Sequence, residues 1–114
     1  MTRAGEAEDA FVRVARRGDV VPGVGTIVRA GRFDVAIFDV GGKLYAYENC
    51  CPHQGGPIGE GIVDGETVIC PWHAWCFDLR DGKLTIGDFA ALRRFDVRVE
   101  DGAVYVASEP SSES

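Results

Sequence analysis

No run of apolar residues in this chain approaches the ~20 that a helix needs to cross a bilayer. The first nine residues, Met1 to Asp9, likewise lack the apolar core of an export signal. The expectation is a cytoplasmic protein that engages no membrane. Basic residues are in short supply too: 12 Lys and Arg stand against 18 Asp and Glu, for a net charge of -6. Binding a phosphate backbone leans on clustered Lys and Arg, so nucleic acid is excluded as a partner and a basic protein surface fits better. No segment keeps a helical apolar stripe for more than about two turns, so helix should be minor. There is no internal repeat. At 114 residues the chain has room for one core and none for a second catalytic domain.

Turn formers, by contrast, are plentiful. Fifteen glycines and five prolines in a chain that is 46% hydrophobic suit short elements joined by many turns. Alternating or β-branched runs of strand length cover Phe11–Ala15, Thr26–Arg29, Phe33–Val40, Lys43–Glu48, Thr67–Cys70, Trp75–Leu79, Phe95–Glu100 and Ala103–Ala107. Between them fall Pro22-Gly23, Gly31, Gly41-Gly42 and three Asp-Gly pairs, at 64, 81 and 101, which favour tight hairpins. The pattern predicts an all-β antiparallel sandwich or barrel over residues 10–107. Residues 1–9 and the Ser/Glu-rich 108–114 read as flexible tails. Near the end, Phe95, Val97 and Val99, then Val104 and Val106, should share one face of a hairpin turning at Asp101-Gly102.

The four cysteines need a separate explanation. Where thiols stay reduced, they point to metal rather than to two disulfides. Two stretches break the strand-and-turn rhythm, one from Asn49 to Gly59 and one from Cys70 to Asp78. Each sets a cysteine and a histidine on a proline-stiffened loop: Cys51-x-His53, then, after 16 residues, Cys70-x-x-His73. These are the only two histidines in the chain, so their placement in matching loops is hard to assign to chance. Two Cys and two His can also close a tetrahedron around one zinc ion, although Cys-x-His is tighter than the usual zinc spacing. Four ordinary packed positions of this composition would make a strange core.

With these loops in view, the sequence resembles the Rieske family, whose pattern is Cys-x-His, an intervening run, then Cys-x-x-His. Gly55, Gly56-Pro57, Pro71-Trp72, Phe77-Asp78 and the terminal hairpin extend the resemblance over nearly the whole domain. It implies a Rieske-like sandwich with a small two-loop subdomain at about 49–79. It also implies one [2Fe–2S] cluster per chain, with Cys51 and Cys70 on one iron and His53 and His73 on the other. Two neutral imidazoles in place of two thiolates remove negative charge, so an electron is accepted more readily, at roughly -150 to +300 mV. High-potential members carry an extra cysteine pair, where this chain has Gly56 and Trp72. They also place hydroxyls near the cluster sulfurs, where this chain has Trp75 and Phe77. Without those hydrogen bonds the potential should lie nearer about -150 mV than +300 mV and stay nearly flat in pH around neutrality. Ala74 departs from the family's usual glycine.

Cys50 and Cys76 fall outside the motif and read as small buried residues; converging loops would permit a disulfide between them, against which a reducing compartment argues. Trp72 and Trp75 read as packing and shield, with Trp72, Pro52, Pro57 and Pro71 rimming a docking face. With both histidines on the cluster, none is left for an oxygen-activating iron site, and no catalytic residue is assigned. The resemblance therefore implies a monomeric electron carrier, the ferredoxin component of an oxygenase system. It would pass single electrons from a flavin- and NADH-dependent ferredoxin reductase to a terminal oxygenase across small, weak interfaces. Small subunits of assimilatory nitrite reductases look similar but can lack some ligands, whereas all four are present here. A zinc- or iron-binding interaction module without redox chemistry is the third reading.

Overall fold

The computed structural model describes residues 11–50, 57–71, 75–85 and 91–109. Its organising element is the strand β3 (Phe33–Val40), in which every residue from Val35 to Asp39 is buried. A strand alternates its side chains between two faces, so such a run needs cover on both. Val35 and Ile37 enter one core, and Ala36 and Phe38 enter another. Its neighbour β4 (Lys43–Glu48) does the same, sending Leu44 and Ala46 to one side and Tyr47 to the other.

The central sheet has the order β2-β3-β4-β8, with β2 at Thr26–Ala30 and β8 at Arg94–Phe95. One face carries a terminal sheet of β1 (Phe11–Arg16), β10 (Ala103–Ala107) and β9 (Val97–Glu100) in the order β1-β10-β9. The other face carries a small sheet, β5 (Ile62–Asp64), β6 (Thr67–Ile69) and β7 (Cys76–Asp78). All strand ladders among the described residues are antiparallel, and the only helices there are 3₁₀ turns at Arg17–Asp19 and Ile58–Glu60. The all-β antiparallel sandwich predicted from the sequence is the observed fold.

Two expectations are corrected. The run Phe95–Glu100 is not one strand: Phe95 pairs with Ala46 in the central sheet, while Val97–Glu100 pairs with β10 in the terminal sheet. The chain changes sheets at Asp96, whose carbonyl accepts the Ala107 N–H at 3.0 Å. The shared apolar face survives the break: Val97 and Val99 stand opposite Val106 and Val104, and Phe95, Val97, Val104 and Val106 enter one core, while Val99, on the edge strand β9, is 43% exposed. Alternation alone cannot reveal a strand that leaves one sheet for the next. The second correction is β5, three residues between a glycine and an Asp-Gly turn, too short for its pattern to show. The hairpin at Asp101-Gly102 does form: both residues have positive φ, 53° and 78°, as a two-residue turn with right-handed strand twist requires.

The small sheet is fixed to the central sheet by the core of Ala36, Phe38, Tyr47, Val68, Phe77 and Leu79, among others. Full burial of each large side chain there contributes roughly 1.5–3 kcal/mol. Tyr47 adds a polar tie, its hydroxyl donating to the Leu79 carbonyl at 2.7 Å. Burial pushes the phenol's pKa above its ordinary value of 10.0, so the group remains a donor. The expected tail 1–9, and residues 110–114 of the other, lie outside the described residues.

Candidate metal centre

The second loop is made by the small sheet itself. β6 and β7 pair Thr67 with Asp78, Val68 with Phe77 and Ile69 with Cys76. Beyond the last pair, the Cys70 N–H donates to the Trp75 carbonyl at 2.7 Å, which closes the neck of the loop with main chain alone. Alternation turns Val68 and Phe77 into the core, both 0% exposed, and leaves Ile69 and Cys76 half-buried on the outer face. Cys70 is 1% exposed and belongs to the same core as Ile58, Val68 and Phe77, with Trp75 packed against it. The Trp75 and Phe77 rings are 6.5 Å apart at 46°.

The first loop is anchored differently. It leaves the end of β4, where the Glu48 N–H donates to the Arg93 carbonyl and the Asn49 N–H to the Asp34 carbonyl, each at 2.8 Å. It returns at Pro57 into the 3₁₀ turn, held by Glu60 N–H to the Pro57 carbonyl at 2.9 Å and Gly61 N–H to the Ile58 carbonyl at 3.0 Å. Ile58 is fully buried, and the Asn49 Oδ1 accepts the Gly59 N–H at 2.6 Å across the neck. Gly61 then runs so close to the Ile69 carbonyl that a Cβ there would clash with it. Ile69 directly precedes Cys70, so the exit of the first loop lies against the entrance of the second.

Of the four expected ligands, the structure places Cys70 in this way. Cys51, His53 and His73 lie outside the described residues, as do Pro52, Trp72, Ala74, Gly55 and Gly56. Cys50 and Cys76 are half-buried rather than buried, Cys76 because β7 turns it away from the core. Sequence reasoning did not single out Asn49, Ile58, Gly59 or Tyr47. An asparagine before a cysteine pair carries no pattern that distinguishes a tie from a plain loop residue.

The surroundings suit an iron–sulfur group. A cysteine with almost no solvent exposure, floored by Ile58, Val68, Phe77 and Trp75, offers a soft thiolate where water is kept away. Residues 57–85 carry Glu60, Asp64, Glu66, Asp78 and Asp81 against Arg80 and Lys83, and apart from Glu60 these charges gather at the Thr67–Asp78 end of the small sheet, away from the Cys70 neck. Asp78 is held below the ordinary carboxylate range by hydrogen bonds from the Arg80 guanidinium, the shorter at 3.1 Å, and from the Arg80 backbone N–H at 2.8 Å.

Comparison with known proteins agrees with this architecture. A family model described as the Rieske [2Fe–2S] domain matches residues 10–96. The ferredoxin CarAc of Metapseudomonas resinovorans is 33% identical over 101 residues, covering 87% of this chain and 94% of that protein. The ferredoxin component of an alkene monooxygenase system from Xanthobacter autotrophicus is 29% identical over 101 residues, covering 88% of this chain and 83% of its own. Among solved structures, a chain from a complex of reduced oxygenase and oxidised ferredoxin in carbazole 1,9a-dioxygenase superposes with a TM-score of 0.82 at 33% identity, covering 91% of this chain and 98% of that one.

Proposed function

The chain belongs to the Rieske [2Fe–2S] domain family, and from that premise we propose that it is the ferredoxin of an oxygenase system, carrying single electrons from a reductase to a terminal oxygenase. The supporting observation is a joint one: ferredoxin relatives match it nearly end to end, and its fold holds a buried cysteine between two converging loop necks. We assign Cys51 and Cys70 to one iron and His53 and His73 to the other. When bound, the cluster supplies a one-electron couple at a potential its ligands and hydrogen bonds set.

The rest is the work of the chain. Ile58, Phe77 and Trp75 keep water from the Cys70 side. Trp75 and Phe77 bring no hydroxyl to the sulfurs, which holds the potential toward the low end of the family range. The net charge of -6 favours a partner with a basic surface, and such charge pairing mainly speeds encounter. Cytoplasmic residence and a monomeric state complete the reading, as suits a carrier that exchanges partners.

Anaerobic purification followed by electron paramagnetic resonance of the dithionite-reduced protein, with a redox titration, tests this. A Rieske signal and a midpoint near about -150 mV are expected. A zinc-bound, spectroscopically silent protein would refute the carrier, and a clearly positive midpoint would refute the account of Trp75 and Phe77.

A further inference from the structure

We propose that Asn49 is a positioning residue: its side chain closes the neck of the first loop and so sets how firmly Cys51 and His53 are held on the cluster. The inference rests on the ligand assignment above and deepens it. Among the described residues no strand ladder spans this neck, because β4 pairs with β3 and β8 and the chain re-enters as a 3₁₀ turn. The contact that does span it is the Asn49 Oδ1 accepting the Gly59 N–H at 2.6 Å. It does across nine intervening residues what the Cys70–Trp75 main-chain bond does for the second loop.

Both ends of the tie are themselves fixed. Asn49 is pinned by its own N–H on the Asp34 carbonyl at 2.8 Å. Gly59 is wedged against the central sheet: a Cβ there would lie 2.6 Å from Ile27 Cγ1 and 3.1 Å from Ala36 Cβ, and one on Gly25 would lie 2.6 Å from the Gly59 carbonyl. A side chain at 59 would collide with the central sheet, so the close approach that brings its amide to Asn49 depends on glycine. Removing the acceptor leaves a donor of the half-buried neck unsatisfied, which costs more than an average hydrogen bond contributes. The geometry is also demanding about length. Aspartate keeps an oxygen at the same place, glutamine moves it one methylene further, and alanine removes it.

The test uses the full-length holoprotein and Asn49→Asp, Asn49→Gln and Asn49→Ala. Three quantities are read: the rate at which excess EDTA bleaches the cluster's visible absorbance, the hydrogen-exchange rate of the Gly59 amide, and the urea midpoint. Asn49→Ala and Asn49→Gln should lose the cluster about tenfold faster, the equivalent of one hydrogen bond to a buried donor, and Gly59 should exchange faster in step. Asn49→Asp should restore both rates. A merely structural role would shift the urea midpoint and treat aspartate and glutamine alike. Should Asn49→Ala fail to fold, the Asp and Gln pair and exchange in the wild type still decide. Equal cluster release in all variants, or an unprotected Gly59 amide in the wild type, overturns the assignment of Asn49. A wild type that carries no Rieske signal overturns the ligand reading instead, while Gly59 exchange still reports on the tie.

Discussion

The two loops that meet at the proposed cluster are built on opposite principles. The second is the tip of a hairpin, so its neck is closed by the same main-chain ladder that makes the sheet, ending in the Cys70–Trp75 bond. The first joins a strand to a 3₁₀ turn, and its neck is closed by a side chain and by the burial of Ile58. A ladder works with almost any sequence, since backbone groups are always present. A side-chain tie depends on one residue type at one position. The first loop should therefore be the mutable one and the second the tolerant one, apart from the ligands themselves.

The largest expected effect tests the exception. Cys70→Ala should abolish cluster binding, read as iron content and visible absorbance, because the proposed assignment makes its thiolate a ligand, while the main-chain bond that closes the neck stays in place. Cys50→Ala and Cys76→Ala should retain the cluster. If Cys76→Ala lost it as completely, the ligand assignment would have to be redrawn.

Next in size is the floor of the first loop. Ile58 is fully buried, so Ile58→Ala should destabilise by about 2–5 kcal/mol in urea unfolding. Ile69→Ala, on the half-buried outer face beside the second loop, should cost clearly less. Equal losses would erase the asymmetry between the necks.

This contrast also marks how far the sequence could be read. The ladder of the second loop was legible, because Thr67–Cys70 and Trp75–Leu79 alternate and flank a Cys-Pro-Trp-His tip; only the strand ends moved, leaving Cys70 and Trp75 in the loop. The motif itself was visible from Cys51-x-His53 and Cys70-x-x-His73. The tie of Asn49 to Gly59 was not, since it joins residues ten apart through a contact with no periodicity. Nor was the double burial of β3, whose apolar run could equally have been one-sided. The transfer of the chain between sheets at Asp96 was hidden for a related reason: tertiary partners, not local pattern, decide which sheet a strand joins.

Tyr47 lies between the two loops in both position and expected effect. Its hydroxyl joins the central sheet to the carbonyl of Leu79, just past the second hairpin, and Tyr47→Phe should cost about 1 kcal/mol by leaving that acceptor unpaired. The effect has a pH signature. Burial raises the phenol's pKa in the folded state, so its contribution is complete below the ordinary value of 10.0 and declines as pH rises through and beyond it. Urea midpoints of wild type and Tyr47→Phe should therefore converge between pH 9 and pH 11, a window set around about pH 10 for free tyrosine. A constant difference across that window would mean that the hydroxyl does not share in the burial.

The smallest effect separates backbone from side chain at a single residue. Asp34 meets the first loop through its carbonyl, which accepts the Asn49 N–H, while its carboxylate pairs with Arg29 at 3.3 Å in the open, the two side chains 60% and 66% exposed. An exposed ion pair of this kind contributes between about 0 and 1 kcal/mol and weakens with salt. Asp34→Asn and Arg29→Ala should thus shift the urea midpoint within about 0.5 kcal/mol and leave cluster release unchanged. Were Asp34→Asn to release the cluster as fast as Asn49→Ala, the neck would be held by charge at the surface. The distinction between a buried side-chain tie and a main-chain one would then no longer describe it.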